Sequence, residues 1–444
     1  MRQAVVTGAS IGGLLAARAL HSSFDRVLVL DRDILPETAK ARRGVPQSRQ
    51  AHALLARGGA ALDELFPGFL DEMRTAGVPE DDAHDGCQWY LDGYPMRRAP
   101  SPISVFGPTR PLLEHLIRER VRALPNVRIA AGSEVVGLLH DGRVRGVRTR
   151  RGEIAADIVV DAGGRASRFP LWLRDFGYGE VPTSTIRTDV VYMTRHYRAA
   201  PGVDVFAVVV TPYPTMPRSG VIIRQEGDRI VVLLAGMLGD EPPTDDAGIL
   251  AFAESLPGTE IADFLRTAEP LDEPVRMRYP ASVRYHYERL PRLPEGFLAI
   301  GDALCSFNPI YGQGVTVAAL EAQVMAGITA TDAKRYFAEA ARLLRTPWSL
   351  AVGGDLRFPE VVGRRGVLDR VLNGYLTRYR AAASVDPALG AAFLRVSNML
   401  AEPTHLLAPG RLLRVLRAAP RATPAPFGTA HIPYGPGCEI NESR

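Results

Sequence analysis

Several features common in other protein classes are scarce or missing in this 444-residue sequence. Its three cysteines, Cys87, Cys305 and Cys438, are far apart and form no Cys-x-x-Cys pair, so we predict neither a disulfide framework nor a zinc site. The longest apolar runs, such as residues 230–238, are far shorter than the roughly 20 residues of a membrane-spanning helix. No secretory leader precedes the first strand-like run, at residues 3–7. We therefore expect a soluble, cytoplasmic protein with no metal and no integral membrane segment.

A strong charge of one sign is also missing. The formal net charge is +4 and is spread along the chain, which argues against nucleic acid as the main partner. Lysine is nearly absent (Lys40 and Lys334), as a GC-rich genome explains, so we draw no function from it. With 46% hydrophobic and 23% charged residues, the composition is that of a globular protein of two or three domains.

The N-terminal segment reads as strand, glycine turn, helix and strand, and its turn is Gly8-Ala-Ser-Ile-Gly-Gly13. Glycines at such a turn let backbone N–H groups approach a pyrophosphate at the helix N-terminus. An acid about 20 residues further on, here Asp31, can bind ribose hydroxyls. Ser10 replaces the middle glycine of the usual motif. Alone, this motif indicates a dinucleotide site without separating NAD from FAD.

Two later motifs also follow strand-like runs. Residues 161–167 (Asp-Ala-Gly-Gly-Arg-Ala-Ser) come after a buried run, and residues 301–315 place a carboxylate, Asp302, before a Pro- and Gly-rich turn that opens a helix. Asp302 can hold ribityl hydroxyls, and the N–H groups of Gly314 and Val315 can stabilise negative charge on a ring oxygen. Each motif is weak alone, but all three in this order are a strong signal.

Elsewhere the pattern predicts a helix over 110–124 and a hairpin at 140–143. Several strands between 180 and 290 indicate one antiparallel sheet, with a turn at Gly227 and Asp228, and a small-residue helix is predicted over 314–330. The segment after 333 is predicted to be helical and irregular. We expect its Leu-rich part, 405–416, to face the core rather than a membrane or a partner, and we expect the tail from 419 to pack poorly.

The three motifs together resemble those of single-component FAD-dependent monooxygenases of the aromatic-hydroxylase type. Segments 42–55, 109–113 and 307–314 resemble the bacterial polyether epoxidases of lasalocid and monensin biosynthesis, and squalene epoxidase more distantly. The resemblance implies an α/β fold with a discontinuous Rossmann-type FAD-binding domain (1–75, 100–179 and 291–332). It also implies an inserted antiparallel-sheet substrate domain (76–99 and 180–290) and a C-terminal helical region (333–444).

The resemblance also implies the cofactor set and its site. FAD would be bound, O2 would be the cosubstrate, and NADPH, NADH or a flavin reductase partner would supply electrons. In the middle motif, Gly163-Gly164 stands where Asp-Gly is usual. In the family this motif is associated with the reduced nicotinamide as well as FAD, so the electron donor is the expectation with the least support. Carried over position by position, the predicted cofactor-binding residues are Gly8, Ser10, Ile11, Gly12, Gly13, Asp31, Arg32, Arg43, Gln47, Arg110, Val136, Gly164, Asp302, Pro309, Gly312, Gly314 and Val315.

By the same resemblance, a flavin C4a-hydroperoxide would epoxidise an alkene of a hydrophobic polyketide or terpenoid intermediate in secondary metabolism, as in antibiotic biosynthesis. No catalytic side chain is predicted, and the candidates for the substrate pocket are Phe206, Tyr213 and Phe307. His52 could line the flavin or simply pack. The oligomeric state is left open.

Other reactions remain as alternatives. An aromatic-ring hydroxylase is the closest, and an FAD-dependent isoprenoid reductase or a non-catalytic flavin-fold protein also fits. A halogenase is less favoured, because the sequence has no Trp-x-Trp-x-Ile-Pro-like stretch and neither lysine stands where that family's reactive lysine is expected.

Overall fold

The computed structural model describes residues 2–199 and 206–426. Cys438 and most of the tail that begins at residue 419 lie outside the described residues. The strands, numbered along the chain, are β1 (Gln3–Thr7), β2 (Arg26–Leu30), β3 (Glu80–Asp82), β4 (Cys87–Leu91), β5 (Tyr94–Pro95), β6 (Ser104–Phe106), β7 (Val127–Ala130), β8 (Val135–His140), β9 (Val144–Thr149), β10 (Gly152–Ala155), β11 (Ile158–Asp161), β12 (Thr183–Arg198), β13 (Ala207–Val210), β14 (Arg218–Gln225), β15 (Arg229–Gly236), β16 (Val275–Tyr285), β17 (Phe297–Ala299) and β18 (Cys305–Ser306).

The helices surround these strands and dominate the C-terminal third. They are α1 (Ile11–Leu20), α2 (Ala56–Leu65), α3 (Phe69–Thr75), α4 (Arg110–Arg122), α5 (Phe169–Leu173), α6 (Asp246–Glu254), α7 (Glu260–Thr267), α8 (Gly314–Met325), α9 (Ala333–Leu343), α10 (Arg345–Asp355), α11 (Val367–Ala383), α12 (Pro387–Ser397) and α13 (Pro409–Ala418).

A five-stranded parallel sheet, in the order β17-β11-β1-β2-β7, forms the first layer. Four of the five residues in β1 and in β2 are buried, as expected for strands covered on both faces. Helices α1 and α8 pack together against this sheet in the largest core cluster. The predicted βαβ start is confirmed, and so is the predicted α/β fold class.

The large second sheet has the order β18-β16-β12-β15-β14-β13-β4-β5. Its turn at Gly227 (φ 70°) and Asp228 (φ 52°) has two successive left-handed residues, which suits the predicted hairpin. One detail of the prediction is wrong, because β4 and β13 are parallel. These strands come from distant parts of the chain, so no hairpin imposes an antiparallel direction on them.

The two faces of this sheet are covered by different helices. Helices α6 and α7 pack on one face, and the C-terminal helices α11 and α12 pack towards the other. The two-residue strand β18 also ties the sheet to the segment that follows the parallel strand β17. The sheet is thus held on one side by the C-terminal region and at its edge by the 301–315 motif.

Helix and hairpin predictions hold to different degrees. The predicted hairpin at 140–143 joins β8 and β9, and the helix predicted over 110–124 is α4. The helix predicted over 314–330 ends earlier, at Met325, because Ala326 is extended and Gly327 has φ 77°. The Leu-rich prediction is right for Leu406, which is buried, but wrong for most of the segment, whose other leucines are exposed.

Candidate functional site

The three motifs lie at one edge of the parallel sheet. Strands β1, β2, β11 and β17 are parallel neighbours, and each is followed directly by a predicted site segment. The carboxyl ends of parallel strands meet at one edge of a sheet, where nucleotides bind in open α/β folds. The structure therefore brings together the segments after residues 7, 30, 161 and 299.

The turn between β1 and α1 combines tight packing with an open surface. A Cβ atom on Gly13 would lie 1.8 Å from the carbonyl oxygen of Gly8, and a Cβ on Gly8 (φ 106°) would lie 2.5 Å from that of Ala162. A Cβ on Gly12, in contrast, would meet no atom of the described chain within 4 Å. Gly8 and Gly13 thus allow close backbone approach, and Gly12 leaves the start of α1 open to a ligand.

A buried carboxylate that the sequence reasoning missed organises this turn. Glu114 accepts a hydrogen bond from the Ser10 hydroxyl (2.7 Å) and another from Arg42 Nε (2.9 Å). Arg110 Nη2 donates to Ser10 Oγ (2.9 Å) and lies 3.8 Å from Glu114. The signal was present, because Glu114 is one helical turn after Arg110 in a predicted helix.

Asp31 has the position predicted for a ribose-binding acid. Its Oδ2 accepts from the Ala9 N–H (2.7 Å) and its Oδ1 from the Asp33 N–H (2.8 Å). Arg42, another residue that the sequence reasoning missed, lies 3.2 Å from Asp31 and 2.9 Å from Asp33. This carboxylate is therefore fixed by the backbone, and an arginine balances its charge.

An open cavity of about 570 Å³ continues beyond Asp31 and Asp33, and the predicted residues Arg32 and Arg43 line it. At its rim, Ile34 is 78% exposed and lies near Gly132. Val136 has no cross-strand partner in the described sheet, because the register of β8 shifts between Val135 and Gly137. Its backbone is outside the regular ladder, as in a β-bulge. The lining of this end of the cleft is polar and mainly basic, with four arginines and two carboxylates, and the cavity is large enough to hold an adenine ring.

Asp302 lies at the other end of the cleft. It is 3.5 Å from Gln47 Nε2, which places the predicted 42–55 segment beside the 301–315 motif. Burial raises the pKa of Asp302, and the nearby guanidinium groups of Arg165 and Arg110 act against that rise. The ring of His52 contacts the Gln50 carbonyl (2.8 Å), and burial and Arg110 lower the pKa of His52 to about 4. His52 is thus neutral at physiological pH.

The start of α8 is open in the same way as the start of α1. Gly312 has φ 63°, and Cβ atoms on Gly312 and Gly314 would meet no described atom within 4 Å. The buried Oε1 of Gln313 and Oγ1 of Thr316 have no hydrogen-bond partner among the described residues. Pro309, Gly312, Gly314 and Val315 thus stand at a second helix N-terminus that can receive a polar ligand atom.

Glu321 supports this loop from within α8 and was also missed. It is completely buried, and its Oε2 accepts from the Gly301 N–H at 2.7 Å. Burial raises the pKa of Glu321 to about 8, and the neighbouring Asp302 adds to the rise. At pH 7 this side chain is therefore protonated and holds the turn without adding negative charge.

In the middle motif, the usual acid is replaced by Gly163, and a buried acid, Asp161, lies two residues earlier. Asp161 accepts from the Gly163 N–H (2.9 Å) and the Ser167 hydroxyl (2.5 Å), and burial raises its pKa to about 6. Gly164 (φ 70°) follows with open space around its Cβ position among the described residues. Next to it, the Arg165 guanidinium stacks over the Tyr279 ring at 4.6 Å. The motif thus places a cation between the two sheets.

A buried polar chain connects the 301–315 motif with the large sheet and with α10. Tyr192 donates to Asn308 Oδ1 (2.8 Å), and Asn308 Nδ2 donates to Asp355 Oδ1 (3.0 Å). The Tyr311 hydroxyl donates to the same Asp355 oxygen (2.9 Å). Asp355 fixes the loop from a region that the sequence reasoning left without a role, and burial raises its pKa to about 6.

The three residues predicted for the substrate pocket do not come together. Phe206 packs with the C-terminal helices, Tyr213 packs with the cluster around α6 and α7, and Phe307 lies in the main core beside Trp348. The three residues thus lie in three different hydrophobic clusters of the described structure. Their role as pocket residues stays a prediction.

The residues of the cleft fit a dinucleotide such as FAD. The buried Nε of Arg110 and one terminal nitrogen of Arg42 have no hydrogen-bond partner within the described residues, and two open helix N-termini face the same edge. In residues 2–199 and 206–426, no group of three or more His, Cys, Asp or Glu side chains could hold a metal ion. Within the same ranges, no helix is long and apolar enough to cross a membrane.

Comparisons with known sequences give one relative along nearly the full length. Protein Rv3254 of Mycobacterium tuberculosis (strain ATCC 25618 / H37Rv) is 33% identical over 431 residues, which cover 89% of each chain. The 6-methylpretetramide 4-monooxygenase of Streptomyces rimosus is 32% identical over 174 residues, or 36% of this chain and 38% of that protein. No protein-family model matches the chain.

Solved structures share the fold at low sequence identity. The flavin-dependent brominase Bmp2 has a TM-score of 0.67 and 16% identity, with 94% of this chain and 98% of that chain covered. A flavoprotein/dehydrogenase from Cytophaga hutchinsonii has a TM-score of 0.65 at 16% identity and the same coverage. The flavin-dependent halogenase CmlS has a TM-score of 0.61 at 17% identity, with 90% of this chain and 77% of that chain covered.

Proposed function

This chain belongs to the family of Mycobacterium tuberculosis protein Rv3254, and from the fold and the cleft described above we propose that it is an FAD-dependent monooxygenase. The observation that carries the proposal is the cleft at the edge of the parallel sheet. There, two open helix N-termini, a ribose-type acid and a second acid lie in the order that an extended FAD molecule requires.

Each part of FAD has residues that would hold it. The N–H groups at the start of α1 and the Arg110 side chain would bind the pyrophosphate, and Asp31 would bind the adenosine ribose. Arg32, Arg43 and Val136 would surround the adenine. Asp302 and Gln47 would bind the ribityl chain, and the start of α8 would face the ring.

Bound FAD supplies the oxygen chemistry, and the protein supplies position and a dry cavity. The large sheet offers an apolar wall, because Val209, Val221 and Leu233 are register neighbours and point to one face. Thr194 continues this row and donates to Gln50 (2.6 Å) in the 42–55 segment. We propose that a hydrophobic substrate binds against this row, where the side chains exclude water.

We propose epoxidation of an alkene in a hydrophobic polyketide or terpenoid intermediate. Its support is the resemblance of segments 42–55, 109–113 and 307–314 to the polyether epoxidases. The partial match to 6-methylpretetramide 4-monooxygenase supports oxygen insertion as the reaction class and keeps aromatic-ring hydroxylation as the second candidate. NADPH or NADH is the proposed electron donor.

Halogenation is not proposed, although two of the structures that share the fold are a brominase and a halogenase. Both lysines of the chain, Lys40 and Lys334, are exposed on the surface. Neither can serve as a buried reactive lysine beside the cleft.

The test begins with an FAD titration of the purified chain, followed by NADPH or NADH and a panel of hydrophobic alkenes and phenols under ¹⁸O₂. We expect stoichiometric FAD binding and the transfer of one labelled oxygen atom to an alkene, detected by mass spectrometry. A labelled phenol would select the hydroxylase. Reduction of a double bond without oxygen uptake would contradict the monooxygenase proposal, as would the absence of FAD binding.

A further inference from the structure

The C-terminal helices carry most of the exposed aliphatic surface of the described chain. Among the residues described, thirteen large hydrophobic side chains are exposed, and nine of them lie between residues 362 and 416. We call these nine the C-terminal apolar patch. They are Val362, Val367, Leu368, Val371, Leu372, Leu407, Leu412, Leu413 and Leu416.

The patch follows helical geometry on two packed helices. On α11 the exposed residues 367, 368, 371 and 372 have i, i+1, i+4, i+5 spacing, and on α13 the exposed residues 412, 413 and 416 repeat its first part. The buried residues of α11 all lie near its C-terminal end, between Tyr379 and Ala383, so its first two turns extend beyond the packed part with their aliphatic side chains exposed. On α13, Val415 and Ala418 are buried between the exposed leucines. A helix that only covers a core has a polar outer face. The two helices pack together, and Tyr375 donates to the Leu406 carbonyl at 2.7 Å.

The same region concentrates positive charge. Residues 360–421 contain ten arginines and four carboxylates, an excess of +6, whereas the whole chain has a net charge of +4. Three of those carboxylates are already engaged. Asp369 accepts from the Gly366 N–H, Asp386 pairs with Arg414, and Glu402 accepts from the Thr346 hydroxyl. Arginines at 364, 370, 378, 417 and 421 are exposed around the patch.

We propose that α11 and α13 dock this protein on an anionic lipid surface. Exposed aliphatic side chains framed by arginine are what an interfacial helix needs to insert shallowly among lipid headgroups. A patch of this kind is unusual on a monomeric soluble protein. The charge excess favours a negatively charged membrane over a second copy of this chain, because the second copy would bring the same positive charge.

Docking at this site does not depend on the proposed oxygenase reaction. It would, however, place the face of the large sheet that α11 and α12 cover near a lipid phase. A hydrophobic substrate partitions into that phase.

The experiment uses the full-length chain with its FAD and sedimentation with sucrose-loaded vesicles. The vesicles contain phosphatidylcholine alone or phosphatidylcholine mixed with phosphatidylglycerol. We expect at least about tenfold tighter binding to the anionic vesicles, since each basic residue near such a surface contributes roughly fivefold. Binding is expected to weaken at high salt.

Two sets of variants separate the patch from general surface effects. Val367→Ser, Leu368→Ser and Val371→Ser are combined in one chain, and we expect this variant to bind anionic vesicles at least about tenfold more weakly. The control combines Leu171→Ser and Leu271→Ser, which are exposed aliphatic residues outside the patch, and it should bind like the unmodified chain. Far-UV circular dichroism and FAD content confirm that both variants fold.

Several results would overturn the proposal. Equal binding to neutral and anionic vesicles would do so, and so would an unchanged affinity of the triple variant. A concentration-dependent dimer in light scattering that the triple variant abolishes, with no vesicle binding, would assign the patch to a second copy. Specific binding to an acidic protein in place of vesicles would likewise reject the lipid surface.

Discussion

At the scale of single residues, the adjacent glycines Gly12 and Gly13 of α1 have different roles, one in the open cleft and one in backbone packing. A methyl group on Gly13 would press against the Gly8 carbonyl, whereas a methyl group on Gly12 would point into the open cleft. We predict that Gly13→Ala destabilises the chain by about 3 kcal/mol, through overpacking against the backbone. Gly12→Ala is predicted to change the stability of the FAD-free chain by less than about 1 kcal/mol. It should weaken FAD binding about tenfold by blocking close approach of the pyrophosphate.

Chemical unfolding and fluorescence titration with FAD measure these two quantities separately. The glycines thus serve as each other's controls. An FAD affinity unchanged by Gly12→Ala would place the pyrophosphate elsewhere.

Glu321 leads to a prediction about pH. Its folded-state pKa of about 8 lies above the ordinary value of 4.5, so the unfolded chain loses this proton at lower pH than the folded chain. The contribution of Glu321 to the free energy of unfolding therefore falls as the pH rises from about 4.5 to about 8. Glu321→Gln keeps an acceptor for the Gly301 N–H without this ionisation. We expect the variant to be more stable than the parent by about 4 kcal/mol at pH 8 and similar to it at pH 4.5.

Urea unfolding at both pH values checks this expectation. Glu321→Ala is the matched variant, because it loses the contact with Gly301 and should be less stable at both pH values. Parallel pH dependences for the parent and Glu321→Gln would show that Glu321 is ionised in the folded protein.

At the scale of elements, the loop after β17 depends on α10. Asp355 accepts hydrogen bonds from Asn308 and Tyr311, so its removal would leave two buried donors without a partner. We predict that Asp355→Leu destabilises the protein by about 3 kcal/mol and increases amide hydrogen exchange in residues 307–315. Asp355→Asn keeps one acceptor and should show a smaller effect. Unchanged exchange in that loop would contradict the prediction, and the exposed Asp263→Asn controls for loss of charge.

Periodicity and turn chemistry were enough to predict the local elements. The βαβ start, α4, the 140–143 hairpin and the turn at Gly227 and Asp228 all follow from patterns within a few residues. The parallel pairing of β4 with β13 joins segments over 100 residues apart, and no local pattern encodes it. The exposed outer faces of α11 and α13 were missed because an apolar helix pattern does not tell whether a second layer covers it.

In the candidate site, too, some residues could be predicted from local sequence and others could not. Residues that bind through backbone geometry, such as Gly8, Gly12 and Gly314, stand in motifs that a single sequence reveals. The spacing of Glu114 and Arg110 was visible in the sequence, but the contacts of Glu114 with Ser10 and Arg42 were not. Arg42 and Glu321 likewise act through long side chains whose partners are far away in the sequence, so spacing does not predict them.

At the scale of the whole molecule, the two sheets are joined at several places. The Asn308 chain and β18 link the parallel-sheet layer to the large sheet, and Arg165 stacks on Tyr279 between them. We predict a single calorimetric unfolding transition whose midpoint temperature rises with FAD concentration. At an FAD concentration a thousandfold above Kd, binding should add about 4 kcal/mol to the free energy of unfolding. Two transitions, only one of them sensitive to FAD, would show that the layers unfold independently.

The short strand β18 also has a thermodynamic consequence. It makes one stretch of backbone common to the cofactor loop and to the edge of the sheet proposed to carry the substrate. If FAD shifts that stretch towards one arrangement and thereby changes the affinity for substrate by some factor, substrate must change the affinity for FAD by the same factor. Reciprocity of this kind would let a filled pocket retain its cofactor and an empty pocket release it.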